Sequence, residues 1–347
     1  MNFGIIGTGM IADFHAKAIR EIPGCKLVAC MDVVPDRAEQ FGKKHGCAFY
    51  SAMNTFLTHP GLDIVTICTP SGTHRDTAVE AARAGKHLIV EKPIEITLDR
   101  IDAIIDACEK SGVTLSGVFM SRYYEPARLV KKAIAGNRFG KITLGSAYIK
   151  WWRSQEYYDK GGWKGTKKID GGGALMNQGI HAIDLLQWYM GPVSSVTASC
   201  ATLGHERIEV EDTAVAALQF KSGALGVIEG STAAYPGFPK RIEISGVGGS
   251  VILEEENIKC WKFAEEQPED ATIREKYAPR ESSSSGGAAD PTAISYLGHK
   301  LQFSEIVEAI RAGKKPSVDG YEARKAVELI LAIYKSGETR KEVRLPL

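Results

Sequence analysis

The feature that most narrows what this chain can fold into is the run Gly4-Ile5-Ile6-Gly7-Thr8-Gly9-Met10-Ile11-Ala12. A short β-branched stretch, Phe3 to Ile6, leads directly into Gly7-x-Gly9-x-x-Ala12, and a helical pattern follows. In that context each small residue has a steric reason. Gly7 permits a tight turn, Gly9 lets backbone amides come close to a ligand, and Ala12 lets helix and strand pack closely. A helix N-terminus presents unpaired N–H groups and positive dipole, so the turn predicts a pyrophosphate cradle built from Gly7, Thr8, Gly9, Met10 and Ile11. The alternative is a glycine-rich turn that binds nothing, and the strand, the spacing and the next residue argue against it.

That next residue is Asp32, at the end of the second strand-like run and about 20 residues beyond Ala12,. A carboxylate there accepts hydrogen bonds from an adenosine ribose and repels a 2′-phosphate, so NAD is favoured over NADP. Arg37 is the competing signal, as a phosphate partner or simply as an exposed helix residue.

From Met1 to about Arg122, short strand patterns alternate with helical ones: Phe3 to Ile6, Lys26 to Met31, Ile64 to Cys68, His87 to Val90, and Val113 to Phe119. Ser71 is placed to cap a helix running to about Arg83 that Gly85 closes. Beyond Tyr123 the strands lengthen, and Thr213 to Phe220 returns through Lys221-Ser222-Gly223 into Ala224 to Gly230, a hairpin signal. One helix is expected near Gln178 to Tyr189, and two more over about 291–312 and 320–334. The fold class is α/β: an N-terminal Rossmann doubly wound parallel sheet plus a C-terminal α+β domain with a mostly antiparallel sheet. The expected domains are 1–122, which binds the dinucleotide, and 123–347, which binds substrate and oligomerises. Residues 281–290 are flexible in composition and read as a solvated loop or a substrate cover.

Lysine and arginine number 43 against 42 aspartates and glutamates, so no global field draws the chain to nucleic acid or to an anionic membrane. Seven scattered cysteines without a Cys-x-x-Cys pair read as reduced thiols rather than a disulfide or zinc framework. No window approaches the ~18 apolar residues of a membrane span, and the strand at the N-terminus leaves no room for a secretory signal. A cytoplasmic location is expected.

Three further segments complete a pattern: Thr69-Pro70 with His74; Glu91-Lys92-Pro93 at the end of the fourth strand pattern; and Gly171-Gly172-Gly173-Ala174-Leu175-Met176-Asn177-Gln178-Gly179-Ile180-His181-Ala182-Ile183-Asp184. With the glycine turn, Ser121-Arg122-Tyr123-Tyr124-Glu125-Pro126 and Pro316-Ser317-Val318-Asp319-Gly320, they closely resemble the glucose-fructose oxidoreductase and inositol dehydrogenase family, Gfo/Idh/MocA, over essentially the whole chain. The resemblance implies an NAD-dependent dehydrogenase acting on a secondary alcohol of a sugar or cyclitol. It maps the family lysine to Lys92 and the family histidine to His181. It also places Thr69, Pro70, His74, Glu91, Lys92 and Arg122 at the cofactor.

Asn177 stands four residues before His181, where inositol dehydrogenases carry an aspartate. An amide orients groups but does not relay a proton. With Trp151-Trp152-Arg153 and the segment from Glu156 to Thr166, Asn177-Gln178 is similar to relatives that oxidise the sugar 3-position, among them those acting on UDP-N-acetylglucosaminuronic acid. Catalysis is therefore expected from Lys92, His181 and Asn177, and substrate contact from these three with Trp151 and Trp163, either tryptophan being equally readable as core. His299 and Tyr321 are open between substrate contact and packing.

No metal is expected, since His181, Asp184 and Glu211 match no ligand spacing. The resemblance leaves two other classes open, an NAD-retaining glycosidase working by transient oxidation and elimination, and a non-catalytic sugar sensor. It implies a homodimer or homotetramer through the C-terminal sheet, and apolar residues at both parities of Thr213 to Phe220 predict burial on two faces there.

Overall fold

The computed structural model describes residues 1–160, 162–279, 288 and 295–347. The stretch 281–290, apart from Ala288, lies outside the described residues, as does the expected helix start at 291. Two compact units emerge: residues 1–120 with 295–327, and residues 121–294 with 328–347.

In the first unit the alternation of strand and helix patterns becomes β1 (Asn2–Ile6), α1 (Met10–Arg20), β2 (Lys26–Met31), α2 (Pro35–His45), β3 (Ala48–Tyr50), α3 (Met53–Leu57), β4 (Ile64–Ile67), α4 (His74–Arg83), β5 (His87–Val90), α5 (Leu98–Ser111) and β6 (Leu115–Gly117). The strands form one parallel sheet in the order β3-β2-β1-β4-β5-β6. The order reverses between β1 and β4, and ligands of open α/β sheets bind at such a switch point, beyond the strands' carboxyl ends. The short β3 carries no long apolar run and was not among the strands expected. Ser71 falls in a 3₁₀ turn, Ser71–Thr73, and α4 begins only at His74 without a side-chain cap, which corrects the expected start.

The second unit holds α6 (Glu125–Ala135), β7 (Ile142–Lys150), α7 (Gln155–Asp159), a π-helical turn (Ala174–Gly179), α8 (Ile180–Met190), strands β8 (Val193–Ala201), β9 (Thr213–Phe220), β10 (Leu225–Ser231), β11 (Arg241–Gly246), β12 (Gly249–Glu254), β13 (Asn257–Phe263), and α9 (Asp270–Lys276). With β14 (Val343–Arg344) these strands form an eight-stranded sheet in which only the β7–β10 pair is parallel. The β9–β10 hairpin forms as expected, its Gly223 at φ +86 supplying the positive dihedral of the turn,. The expectation of burial on both faces is not met within the chain. Ala214, Ala216, Leu218 and Phe220 of β9 are buried while Val215, Ala217 and Gln219 are exposed.

Two helices close the chain, α10 (Leu297–Arg311) and α11 (Gly320–Thr339). The expectation of one domain over 123–347 fails at α10, which belongs to the first unit. Phe303, Ile306 and Val307 enter the same core as Phe3, Ile5, Ala12 and Ile19. Gln302 accepts from the Phe119 amide at 3.0 Å and donates to the Gly117 carbonyl at 2.8 Å, satisfying backbone at the end of β6. All seven cysteines are free. No helix among the described residues is long and apolar enough to cross a membrane.

Candidate active site

In the first unit the expected cofactor residues gather at the carboxyl ends of β1, β2, β4 and β5. Gly7 leaves β1 with its amide on the Met31 carbonyl, 2.8 Å away, and a φ of +85. A Cβ there would meet the backbone of Cys68 and Thr69 at 2.9 Å, so only glycine lets this turn lie against the end of β4. Gly9 is different. It caps α1, and a Cβ on it would meet no protein atom within 4 Å. The space that Gly9 spares lies at the helix N-terminus, where Met10 and Ile11 begin α1, and that is room for an anion rather than for packing.

Asp32 follows β2, held by its own amide on the Tyr50 carbonyl. Its Oδ2 accepts from both the amide and the hydroxyl of Thr8 at 2.9 Å, and its Oδ1 from the Val34 amide at 3.0 Å. A carboxylate has lone pairs beyond these to accept ribose hydroxyls, so Thr8 aims Asp32 rather than saturating it. Arg37 is an exposed residue of α2. These residues fit a dinucleotide.

Thr69, Pro70 and His74 brace that edge through their own hydrogen bonds. The buried His74 ring bridges the Thr69 carbonyl at 2.8 Å and the Pro93 carbonyl at 2.9 Å, tying the loop after β4 to the loop after β5. The Pro70 carbonyl accepts from the Thr73 amide at 2.9 Å. Lys92 stands half-buried just beyond β5. Glu91 is buried, and both of its carboxylate oxygens are engaged by protein donors, Oε1 by His15 and Oε2 by the Lys92 amide.

The second unit carries the other expected substrate residues, Trp151, Trp163, Asn177 and His181. Gly172 and Gly173 exist for close approach: a Cβ would lie 2.1 Å from the Tyr334 hydroxyl at the first and 2.0 Å from the Glu211 carbonyl at the second. The buried Glu211 carboxylate accepts from the Gly173 amide at 2.9 Å, the Leu175 amide at 2.8 Å and the Tyr334 hydroxyl at 2.9 Å. It thereby caps the π-helical turn. Burial pushes its carboxyl above the usual glutamate range, and those same hydrogen bonds oppose the shift. Such π turns interrupt α-helices mostly at functional places, and this one presents Asn177 and Gln178 immediately before His181, which is half-buried in the first turn of α8.

Asn177 donates to Asp170 Oδ1, and Asp170 Oδ2 takes the Gly165 amide at 2.8 Å. Gln178 donates to Asn177 Oδ1 at 2.9 Å and to the Tyr157 hydroxyl at 3.1 Å, and accepts from Arg153 at 2.8 Å. The Lys164 ammonium lies 3.7 Å from the centre of the Tyr157 ring, and burial holds its pKa below the usual lysine value. Trp151 has its ring 5.2 Å from the Arg153 guanidinium, and Trp163 is half-buried. Arg153, Tyr157, Lys164, Asp170 and Gln178 were missed individually by sequence reasoning. For Arg153, Tyr157 and Lys164 the signal was the crowding of basic and aromatic residues in one segment; Gln178 was read only as the neighbour of Asn177, and Asp170 gave none.

Arg122 is bound to Asp184 within the second unit, where the sequence pattern had placed it at the cofactor. Tyr321 is exposed, with its hydroxyl donating to Glu109 at 3.0 Å. His299 is buried beside Glu91.

Residues 1–119 match the family model described as oxidoreductase family, NAD-binding Rossmann fold, and residues 127–252 match the GFO/IDH/MocA C-terminal domain. The WlbA dehydrogenase of Bordetella pertussis, solved with NADH and UDP-GlcNAcA, is 35% identical with a TM-score of 0.88, over 100% of this chain and 99% of that one. The chain belongs to the Gfo/Idh/MocA family. Curated relatives of this Gfo/Idh/MocA protein include the myo-inositol 2-dehydrogenase of Thermotoga maritima, 28% identical over 99% of this chain and 98% of the relative. Another is the NAD(+)-dependent scyllo-inositol 2-dehydrogenase of Bacillus subtilis, 26% identical over 98% of this chain and 95% of the relative. The Gfo/Idh/MocA chain is thus an NAD-dependent oxidoreductase of the sugar and cyclitol dehydrogenase type.

Proposed function

We propose that this enzyme oxidises the 3-hydroxyl of an acidic, nucleotide-linked sugar to a ketone, with UDP-N-acetylglucosaminuronic acid as the substrate type. The observation that carries the reading is the hydrogen-bonded set Arg153, Gln178, Asn177 and Asp170 on the π-helical turn before His181. An amide that both donates and accepts is fixed there, where the inositol-type pattern has a carboxylate. The full-length similarity to a dehydrogenase solved with UDP-GlcNAcA supports the same assignment.

In this reading His181 removes the hydroxyl proton and the Lys92 ammonium stabilises the growing alkoxide by a charge-assisted hydrogen bond. Asn177 orients a neighbouring sugar hydroxyl. Bound NAD supplies the acceptor for the hydride leaving the carbinol carbon. A proton and a hydride leave the alcohol, giving a ketosugar. Trp151 and Trp163 offer faces for sugar or base rings, and Asp32 sets the preference for NAD.

The same proposal includes self-association through the exposed face of the sheet. Leu144 of β7 is in register with Leu225 of β10, and Val215 of β9 lies on the same face; all three are exposed. Light scattering that gives a dimer or tetramer agrees, and a monomer removes this part.

The decisive experiment follows NADH absorbance with UDP-N-acetylglucosaminuronic acid, myo-inositol and levoglucosan, each with NAD and with NADP. Turnover confined to the acidic nucleotide sugar with NAD is the expected result. Turnover with inositol alone overturns the substrate assignment, and release of an aglycone without net NADH places the chemistry with elimination.

A further inference from the structure

Three donors converge on one buried carboxylate in the first unit. His15 Nε2 lies 2.9 Å from Glu91 Oε1, and His299 Nε2 lies 3.5 Å from the same oxygen. The Lys92 amide donates to Oε2 at 3.1 Å. Behind His15, its Nδ1 is 3.3 Å from Cys68 Sγ. Burial, with the Glu91 charge adding to it, holds the Cys68 thiol well above its usual pKa, so the thiol keeps its proton beside Nδ1,. An ionised Glu91 only accepts, so the His15 Nε2 that faces it carries a proton,.

The surroundings keep the cluster dry. The His15 ring stands edge-on to Phe303 with centroids 4.8 Å apart and 5.2 Å from the His299 ring, and His15, Glu91, Cys68 and His299 are all buried. Burial alone would raise the Glu91 carboxyl, but the hydrogen bonds from His15 and His299 outweigh it and hold it well below the usual glutamate range. The ligand atoms of His15, Glu91 and His299 lie within 4.8 Å of one another, a spacing that also suits a metal ion. A metal there would have to displace the Nε2 proton that faces Glu91.

We propose that His15, Glu91 and His299 form a positioning device for Lys92, in which two imidazoles from α1 and α10 lock an ionised carboxylate that in turn holds the Lys92 peptide. It rests on Lys92 being the catalytic lysine. None of the three need touch substrate. A carboxylate is required because only an ion accepts from two imidazoles and an amide together; an amide side chain would set one donor against another. Misplacing a catalytic group by about 1 Å costs on the order of 10²-fold in rate, which gives a remote clamp kinetic weight.

The test uses the full-length enzyme with Glu91→Gln, His299→Phe and His299→Gln, beside Lys92→Met. Glu91→Gln removes a buried charge; His299→Phe keeps a ring and loses only its donor, and His299→Gln restores an N–H. The first readout is hydrogen exchange, by mass spectrometry, of a peptide carrying the Lys92 amide. Exchange accelerated about tenfold or more in Glu91→Gln and His299→Phe, and restored in His299→Gln, is expected. The second readout is kinetic: kcat should fall on the order of 10²-fold in the same two variants while NADH affinity and KM stay within about twofold.

Unchanged exchange in folded Glu91→Gln and His299→Phe overturns the positioning device. Stoichiometric zinc or nickel in the purified enzyme, lost in His299→Phe, overturns it too and makes the cluster a metal site. Full turnover by Lys92→Met with accelerated exchange in the other variants leaves the clamp standing and removes the catalytic assignment of Lys92 instead.

Discussion

Arg122 grips Asp184 through two hydrogen bonds of 2.8 and 2.6 Å, with both side chains buried. The Trp188 ring lies 5.5 Å from the same guanidinium. Deleting one member of such a pair strands a charge in the protein interior, at a cost of about 3–5 kcal/mol. Asp184→Ala is therefore expected to lower unfolding free energy by that amount in urea titrations. The double variant Arg122→Met, Asp184→Leu should recover most of it, since no unpaired charge remains.

The two glycines of the turn are expected to fail differently. Gly7→Ala places a Cβ 2.9 Å from the backbone of Cys68 and Thr69 at a positive φ, so both melting temperature and NADH binding should drop,. Gly9→Ala meets no protein atom. It should melt close to the parent while NADH affinity, followed by fluorescence, falls about tenfold or more, equivalent to roughly 1.4 kcal/mol.

For the chemical step, Lys92→Met and His181→Ala are each expected to reduce kcat on the order of 10²- to 10⁴-fold, the range of general acid–base groups. NADH binding should survive in both. An altered KM with unchanged kcat would make His181 a binding residue.

Acid stability should depend on Asp270. Hydrogen bonds from Arg138 hold its carboxyl well below the ordinary 3.8, with the Gln267 amide and the Trp261 indole adding to the effect. A depressed carboxyl stabilises the fold above its unfolded pKa and ceases to do so as pH falls through the folded value. Asp270→Asn should thus unfold at lower urea than the parent at pH 7, and the gap should close as pH falls below about 4.

The first unit was legible because its signals are local. A strand, a glycine turn and an acidic residue at fixed spacing point to one edge of one sheet, and Gly7, Asp32 and Lys92 all stand there. The position of α10 was not legible: its amphipathic pattern fits either unit, and only tertiary packing of Phe303 and the hydrogen bonds of Gln302 decide. His15 and Cys68 gave no signal either, because each lies in an ordinary apolar run and matters only through a partner far along the chain. Asn177 was found by its spacing from His181, yet its true setting is a π-helical turn capped by Glu211, 34 residues downstream. A pattern of period 3.6 does not foresee that turn.

Because α10 supplies part of the first unit's core and His299 reaches Glu91 from it, the cofactor-binding unit is not complete in its first 120 residues. On the ribosome, the glycine turn and Lys92 emerge early but wait for residue 327, by which point nearly all of the second unit has been synthesised. A chain stopped short of α10 carries the glycine turn and Lys92 but lacks the Phe303 packing and the His299 contact that complete this unit.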